Sequence, residues 1–156
     1  MKGDPRLIES LNARLASEHA GIVQYITHSA MVENWGYERL TNYIKARAIE
    51  EMKHAGMLLD RILFLEGVPT LIKVGTVEIA DNVGEMFLFD QKREVEAIVG
   101  YTESIDLAEE CKDFATRKLL EMIIESENEH ENIIEANISQ ILQSGIENYL
   151  PVQIKD

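Results

Sequence analysis

Each of the four longest helical patterns in the sequence carries a glutamate near the middle of its otherwise apolar face. The apolar residues around these glutamates recur at steps of three and four, the spacing that places side chains on one face of a helix. A carboxylate that points into a helix bundle is costly unless a positive charge neutralises it. Two divalent cations would balance four such charges. The four positions are Glu18, Glu51, Glu94 and Glu127.

Two of these glutamates begin a Glu-x-x-His pattern, with His54 following Glu51 and His130 following Glu127. Residues three apart lie on one side of a helix, so both members of a pair can reach the same point. In each half of the chain, a single glutamate precedes the Glu-x-x-His pattern by 33 residues. The two halves are therefore offset by 76 residues. This repeat predicts two related helical hairpins, each supplying half of a dinuclear metal site.

The periodicity predicts four long helices and a short fifth one. Asp4 and Pro5 favour a helix start, because Asp is a good N-cap and Pro fits the first helical position. Gly36, Gly67 and Gly145 are predicted to end the first, second and fourth helices. The predicted ranges are 5 to about 34, 38 to about 66, 83 to about 111 and 113 to about 143, with Pro151 interrupting or delaying the fifth helix.

An irregular, β-branched stretch from about 68 to 82, which includes Leu71-Ile72 and 74–79, joins the second and third helices. Its length of about 15 residues can extend over roughly 50 Å, more than the roughly 42 Å of a 28-residue helix. This connection can run the length of the bundle and leave the second and third helices parallel, whereas the short connections make antiparallel hairpins. We expect an all-α four-helix bundle with one long crossover and a short C-terminal fifth helix, with residues 1–156 as a single domain.

Composition excludes several classes of function. Acidic residues outnumber basic ones 28 to 15, and the formal net charge of −13 argues against nucleic-acid binding and favours cations. The apolar runs are too short for a membrane span, so no membrane association is expected. A single cysteine excludes an internal disulfide and any multi-cysteine zinc or iron–sulfur site. The charged start MKGDPRLIES lacks the apolar core of an export signal, which predicts a cytoplasmic location.

The types of ligand indicate the metal. Carboxylate oxygen mixed with imidazole nitrogen suits iron or manganese better than copper(I), which prefers sulfur. Zinc could bind the same atoms, but it would not account for a two-metal redox site. A glutamate from each of two helices with Glu-x-x-His from each of the other two is the ligand set of ferritin-like di-iron bundles.

Over nearly its whole length, the sequence resembles the bacterioferritin family. The resemblance rests on the opening MKGDPRLIESLN, on NWGYERL, EEMKHA and RILFLEGVP, and on the closing IENYLPVQI. It implies a ferritin-like bundle and a homo-24-mer shell, built from two-fold dimers, that stores ferric mineral. It also implies ferroxidase activity, in which O₂ or peroxide oxidises Fe(II) at a site for two irons within each subunit. A small ferredoxin is the implied electron donor for iron release.

The resemblance also implies roles for individual residues. The terminal iron ligands are matched by Glu18 and Glu94, the bridging ligands by Glu51 and Glu127, and the imidazole ligands by His54 and His130. Met52 matches the axial ligand of a b-type haem that two subunits share, one haem per two chains. Tyr25 lies on the face of Glu18, and we interpret it as a hydrogen-bond partner of a ligand or as a one-electron donor.

Four further positions bear on the expected structure. Ala46 stands where certain family members carry the histidine of an accessory iron site on the inner shell wall, which argues against that site here. Pro151 falls in the short last helix, which lines the four-fold axis in the family. His19 and His28 lie off the inward faces, which predicts surface or interface positions.

Three other functions fit parts of the pattern. The first is a haem-free ferritin shell, and Met52 is the only residue in the sequence that distinguishes the haem-containing function from it. A non-storage di-iron peroxidase of the rubrerythrin type normally carries Cys-x-x-Cys pairs, which one cysteine cannot supply. A plain helical-bundle scaffold would keep its glutamates in solvent.

Overall fold

The computed structural model describes residues 1–70 and 77–156 and confirms the predicted all-α bundle. Its helices are α1 Pro5–Asn34, α2 Glu38–Phe64, α3 Val83–Glu110, α4 Phe114–Ser144 and α5 Ile146–Tyr149, followed by a 3₁₀ helix at Leu150–Gln153. The described ends of the predicted irregular connection, residues 68–70 and 77–82, are not helical. Leu71-Ile72 and Val74 lie outside the described residues.

Side-chain caps set the starts of three long helices. Asp4 accepts a hydrogen bond from the backbone N of Arg6 at 2.8 Å, and Pro5 takes the first helical position, as predicted. Asn82 caps α3, and Asp113 caps α4, in the same way. These caps satisfy backbone N–H groups that would otherwise lack partners at the helix starts.

The ends of α1, α2 and α3 share one hydrogen-bonded turn, in which the residue after the C-cap has a left-handed backbone. This residue is Gly36 at the end of α1, with φ 87°. At the ends of α2 and α3 it is Glu66 and Lys112, with φ 62° and 58°. The left-handed backbone conformation favours glycine, so Glu66 and Lys112 adopt it at a cost in free energy.

The prediction that Gly67 ends α2 is therefore wrong, because Glu66 takes the left-handed conformation and α2 ends at Phe64. Gly67 serves a different purpose. A Cβ at this position would lie 2.7 Å from Cγ2 of Ile8 and 3.2 Å from the backbone O of Ile62. Gly67 is needed so that the chain can leave α2 close against α1.

Contacts across the bundle give the helix directions. The backbone N of Gly3 donates to the O of Leu65 at 2.9 Å, which places the start of α1 beside the end of α2. Oγ of Ser10, near the start of α1, lies 2.7 Å from Oγ of Ser104, near the end of α3. Both α2 and α3 are thus antiparallel to α1 and parallel to each other, as the long crossover predicts.

The apolar core has two separate parts. The first includes Leu11, Leu15, Ala55, Leu58, Ala97, Leu120 and Ile123. The second includes Val32, Ile44, Ala48, Met86, Phe87 and Ile134. Along each long helix, the glutamate identified from the sequence lies between residues of the first part and residues of the second. The packing therefore leaves a polar band across the middle of the bundle.

The chain end folds back on α4. Gly145, with φ 81°, ends α4, and α5 makes a single turn before the 3₁₀ helix that contains Pro151. The change of helix type agrees with the prediction that Pro151 interrupts the fifth helix. The hydroxyl of buried Tyr149 donates to Oδ1 of Asn137 at 2.6 Å and fastens the tail.

Within residues 1–70 and 77–156, none of the helices has both the length and the apolar character needed to cross a membrane.

The helix ends yield a first prediction. Lys112→Gly should raise the free energy of unfolding by about 1 kcal/mol, because an exposed side chain no longer occupies a left-handed backbone. Gly36→Ala should lower it by about 1 kcal/mol for the opposite reason. Thermal unfolding of both variants under one set of conditions checks the pair. Shifts of the same sign would contradict the explanation.

Candidate metal centre

Six residues from the four long helices bring their side chains together in the polar band, and each residue is at most 5% exposed. They form two overlapping groups, in each of which ligand-type atoms lie within 4.8 Å of one another. The groups are Glu18, Glu51, His54 and Glu127, and Glu51, Glu94, Glu127 and His130. Because Glu51 and Glu127 belong to both groups, their carboxylates are placed to contact two cations at once.

Each imidazole nitrogen Nδ1 lies near two carboxylates, and the pairs of neighbours correspond between the two halves of the chain. Nδ1 of His54 lies 2.8 Å from Oε1 of Glu127 and 3.6 Å from Oε1 of Glu18. The corresponding distances from Nδ1 of His130 are 3.8 Å to Oε1 of Glu51 and 3.9 Å to Oε1 of Glu94. Each imidazole therefore faces a shared carboxylate and the single glutamate of its own half of the site.

Many atoms that face the centre lack a hydrogen-bond partner among the residues that the structure describes. They are Nδ1 of His54 and His130, both carboxylate oxygens of Glu127, and one oxygen each of Glu18, Glu51 and Glu94. Buried polar atoms normally find partners, so a concentration of unpaired acceptors at one place calls for a ligand. Four carboxylates and two imidazoles fit two divalent cations of the iron or manganese type.

A glycine on α1 helps to place one shared carboxylate. Gly21 on α1 faces Glu51 on α2, and a Cβ at Gly21 would lie 3.0 Å from Oε2 of Glu51. A larger residue on α1 would press on this carboxylate. Gly21 thus leaves room for Glu51 to lie between the helices.

Burial and mutual repulsion raise the pKa values of the carboxyl groups. Burial raises the pKa of Glu18 to about 8, with further contributions from the charges of Glu127 and Glu94. Burial also raises the pKa of Glu127 and holds those of Glu51 and Glu94 well above their usual range. Burial lowers the pKa of His54, but the Glu127 carboxylate outweighs this and raises it. Cations entering the centre must therefore displace protons.

Two tyrosines contact Glu18 and Glu94, the two carboxylates that each belong to only one of the groups. The hydroxyl of Tyr25 donates to Oε1 of Glu94, so the residue singled out from the sequence lies beside the centre. The hydroxyl of Tyr101 donates to Oε1 of Glu18. The sequence analysis assigned no role to Tyr101. The signal was present, because Tyr101 follows Tyr25 by the same 76 residues that relate the two halves.

A second residue that sequence reasoning missed is Ser126. Its Oγ lies 3.2 Å from Nε2 of His130, the ring nitrogen that faces away from the carboxylates. With Nδ1 as the ligating atom, Nε2–H donates to Ser126. Such an outer partner fixes both the tautomer and the orientation of a metal-binding imidazole. The spacing of four residues on one helix was the available signal.

The predicted surface or interface position of His28 is wrong, because this side chain is fully buried. The end of the crossover covers that side of α1, and the backbone N of Ala80 donates to Nε2 of His28 at 3.1 Å. Nδ1 of His28 then carries the proton and donates to Oδ1 of Asp90 at 3.1 Å. Gln24 donates to the same oxygen at 2.8 Å. These bonds tie the crossover to α1 and α3. His19 is half-buried.

Met52 points away from the centre although it follows Glu51 directly. Its side chain is 47% exposed, and Ile49 on the same helix is 44% exposed. Val23 and Ile26 on α1 are also exposed apolar residues. We refer to these four residues as the Met52 surface. A cofactor with an apolar face, or a second chain, could cover it.

Comparison with known proteins agrees with this geometry. A family model described as a ferritin-like domain matches residues 8–143. The chain is 35% identical over 149 residues to a bacterioferritin of Brucella melitensis, covering 96% of this chain and 92% of that protein. It is 34% identical over 155 residues to a bacterioferritin of Streptomyces coelicolor, covering 99% and 93%. The chain belongs to the bacterioferritin family. Membership in the bacterioferritin family supports iron storage, and the two carboxylate–imidazole groups fit its di-iron site.

The raised pKa values predict how stability depends on pH without metal. A carboxyl group whose pKa rises from 4.5 to about 8 on folding, as for Glu18, favours the folded state fully below pH 4.5. This contribution is lost as the pH rises through about 8. The melting temperature of chelator-treated protein should therefore fall between about pH 5 and pH 8. Zn²⁺ should raise it more at pH 8 than at pH 6.

Glu127→Gln removes one of the repelling charges and should flatten this pH profile, whereas Glu129→Gln, at an exposed position two residues along α4, should not. Scanning calorimetry at a fixed protein concentration measures both. A metal-free melting temperature that rises over the interval would contradict the electrostatic explanation.

Proposed function

We propose that this protein is an iron-storage ferroxidase, which oxidises Fe(II) to Fe(III) at the intrachain centre and stores ferric mineral inside a 24-subunit shell. The observation that carries the proposal is the convergence of six buried ligand-type side chains whose unpaired atoms face one another. Residues 1–156 act in this proposal as one ferritin-like unit, located in the cytoplasm. The proposed substrate is Fe(II), and O₂ or peroxide is the oxidant.

The proposed ligand roles follow the geometry. Glu51 and Glu127 belong to both groups and act as bridging ligands, and neither oxygen of Glu127 has a hydrogen-bond partner among the described residues. Glu18 and Glu94 each belong to one group and act as terminal ligands, and His54 and His130 complete the two positions. Two Fe(II) ions supply two electrons, enough to reduce O₂ to hydrogen peroxide or peroxide to water.

Tyr25 contributes to the same centre. Its buried hydroxyl donates to Glu94, which supports the role of an outer partner that orients this ligand. A one-electron donation from Tyr25 to the centre is its other proposed role. Both roles need the phenol to lie beside a ligand.

The net charge of −13 per chain supports the uptake of cations by the proposed shell. Acidic entrances would concentrate Fe²⁺ by electrostatic attraction. Two-fold dimers are the proposed building blocks, and the exposed apolar residues of the Met52 surface favour burial of this face between two chains.

The Met52 surface also fits a haem. The exposed thioether of Met52 would hold the haem iron, and exposed Ile49, three residues before it on α2, would contact the flat macrocycle. In the proposed dimer, Met52 and its symmetry mate would hold one b-type haem per two chains, since a two-fold interface presents the same residue twice. The haem would supply electron transfer toward the stored mineral. A small ferredoxin is the proposed electron donor for release.

The ferroxidase proposal is tested by replacing the shared ligands. Glu51→Ala and Glu127→Ala should lower the rate of Fe(II) oxidation by more than about 100-fold, the upper range for losing an outer partner of a ligand. Glu129→Ala removes an exposed glutamate of α4 and should keep the wild-type rate. Stopped-flow absorbance follows the oxidation, and size-exclusion chromatography should show wild-type assembly. Rapid oxidation by either bridging-ligand variant would exclude the centre as the oxidation site.

The haem proposal has its own test. Met52→Leu should lose haem but keep Fe(II) oxidation, because Glu51 and His54 are unchanged, and Met52→His should keep haem with an altered absorption spectrum. Met122→Leu, at another exposed methionine, is the matched control and should change neither property. An unchanged haem spectrum in Met52→Leu would exclude Met52 as the ligand. Wild-type protein without haem would instead favour a haem-free ferritin shell.

A further inference from the structure

Tyr25 and Tyr101 make a reciprocal pair of hydrogen bonds between α1 and α3. The phenol on α1 donates to the glutamate on α3, and the phenol on α3 donates to the glutamate on α1. Both tyrosines are buried, with at most 1% exposure. Each helix of this pair therefore supplies one terminal carboxylate and the phenol that contacts the opposite one.

As a result, the two oxygens of each terminal carboxylate have different surroundings. Tyr101 occupies Oε1 of Glu18, and Oε2 of Glu18 has no partner among the described residues. Tyr25 likewise occupies Oε1 of Glu94 and leaves Oε2 of that group unpaired. In contrast, neither oxygen of Glu127 has a hydrogen-bond partner among the described residues, although Oε1 lies 2.8 Å from Nδ1 of His54. The phenols thus leave one oxygen of each terminal carboxylate without a hydrogen bond.

The surroundings of Tyr101 hold its ring in place. The guanidinium carbon of Arg14 lies 5.9 Å from the centre of the ring. Gly100 makes room for this contact, since a Cβ there would lie 1.0 Å from Nη1 of Arg14. An arginine at this distance from a tyrosine ring is attracted to its face. Gly100 and Arg14 therefore favour the ring position from which Tyr101 reaches Glu18.

We propose that Tyr101 is a positioning residue for one metal position only, the one formed by Glu18, Glu51, His54 and Glu127. Tyr101 holds Glu18 so that a single oxygen is presented to the cation, while Tyr25 does the same for Glu94 at the other position. This inference rests on the proposed function of the centre as a two-metal site. It predicts that the two positions can be weakened separately, although they share Glu51 and Glu127.

The test uses Co²⁺ as the probe and the assembled, full-length protein. Tyr101→Phe removes one hydroxyl, and Tyr25→Phe is the matched control at the related position. Anomalous diffraction from crystals equilibrated with graded Co²⁺ concentrations gives the occupancy of each position. Tyr101→Phe should weaken Co²⁺ at the Glu18 position by about 10- to 100-fold, the usual effect of losing an outer partner. Tyr25→Phe should weaken the Glu94 position instead.

A second variant separates the hydrogen bond from the packing of the ring. Gly100→Ala displaces the end of the Arg14 side chain from the Tyr101 ring but keeps the phenol hydroxyl, so it should weaken Co²⁺ at the Glu18 position less than Tyr101→Phe does. A loss at the Glu18 position in Gly100→Ala as large as that in Tyr101→Phe would assign the effect to ring packing and overturn the proposal. Equal losses at both positions in Tyr101→Phe, or no loss at either, would also overturn it.

The design distinguishes this inference from the proposed function. Co²⁺ occupancy requires no oxidation, so the role of Tyr101 is measured whether or not the protein oxidises Fe(II). Wild-type protein that fills both positions with Co²⁺ but leaves Fe(II) unoxidised would contradict the ferroxidase proposal alone. Position-specific loss in Tyr101→Phe would still support the positioning role.

Discussion

Repulsion among four carboxylates buried in the middle of the bundle is the constraint on which the rest of the structure depends. Glu18, Glu51, Glu94 and Glu127 are at most 5% exposed, and their pKa values all lie above the usual range. Such a band opposes folding when no cation neutralises it. Two apolar core regions, one on each side, supply the opposing stabilisation by burying side chains from all four helices.

The candidate ligand side chains in the polar band are contacted by further polar groups, which hold them in place. Tyr25 and Tyr101 each take one oxygen of a terminal carboxylate, and Ser126 contacts the outer nitrogen of His130. The two halves are related but not identical. The position that corresponds to Ser126 in the first half holds Glu50, whose carboxylate pairs with Lys53 at 3.3 Å. Different outer groups give the two candidate metal positions different electrostatic environments, although both contain carboxylates and an imidazole.

Sequence reasoning was most accurate where structure depends on neighbouring residues. The periodicity located the four long helices to within about two residues, and Asp4 and Pro5 marked the start of α1, because these signals act within one or two helical turns. Sequence reasoning was less accurate where the role of a residue depends on contact with a segment that is distant in the sequence. Gly67 was assigned to the end of α2, but its lack of a side chain is needed for contact with Ile8. His28 was predicted to lie at the surface or at an interface, because the path of the crossover over α1 leaves no periodic signal.

The sequence by itself determined the helical class, the types of ligand and their placement on four inward faces, including the 33- and 76-residue spacings. These properties follow from the fixed geometry of the helix, which relates residues three and four apart regardless of what surrounds them. Only the tertiary structure decided which atoms meet: that Glu51 and Glu127 belong to both groups, and that Tyr101 reaches Glu18. Those contacts join helices far apart in the chain, so their distances depend on how the two core regions pack.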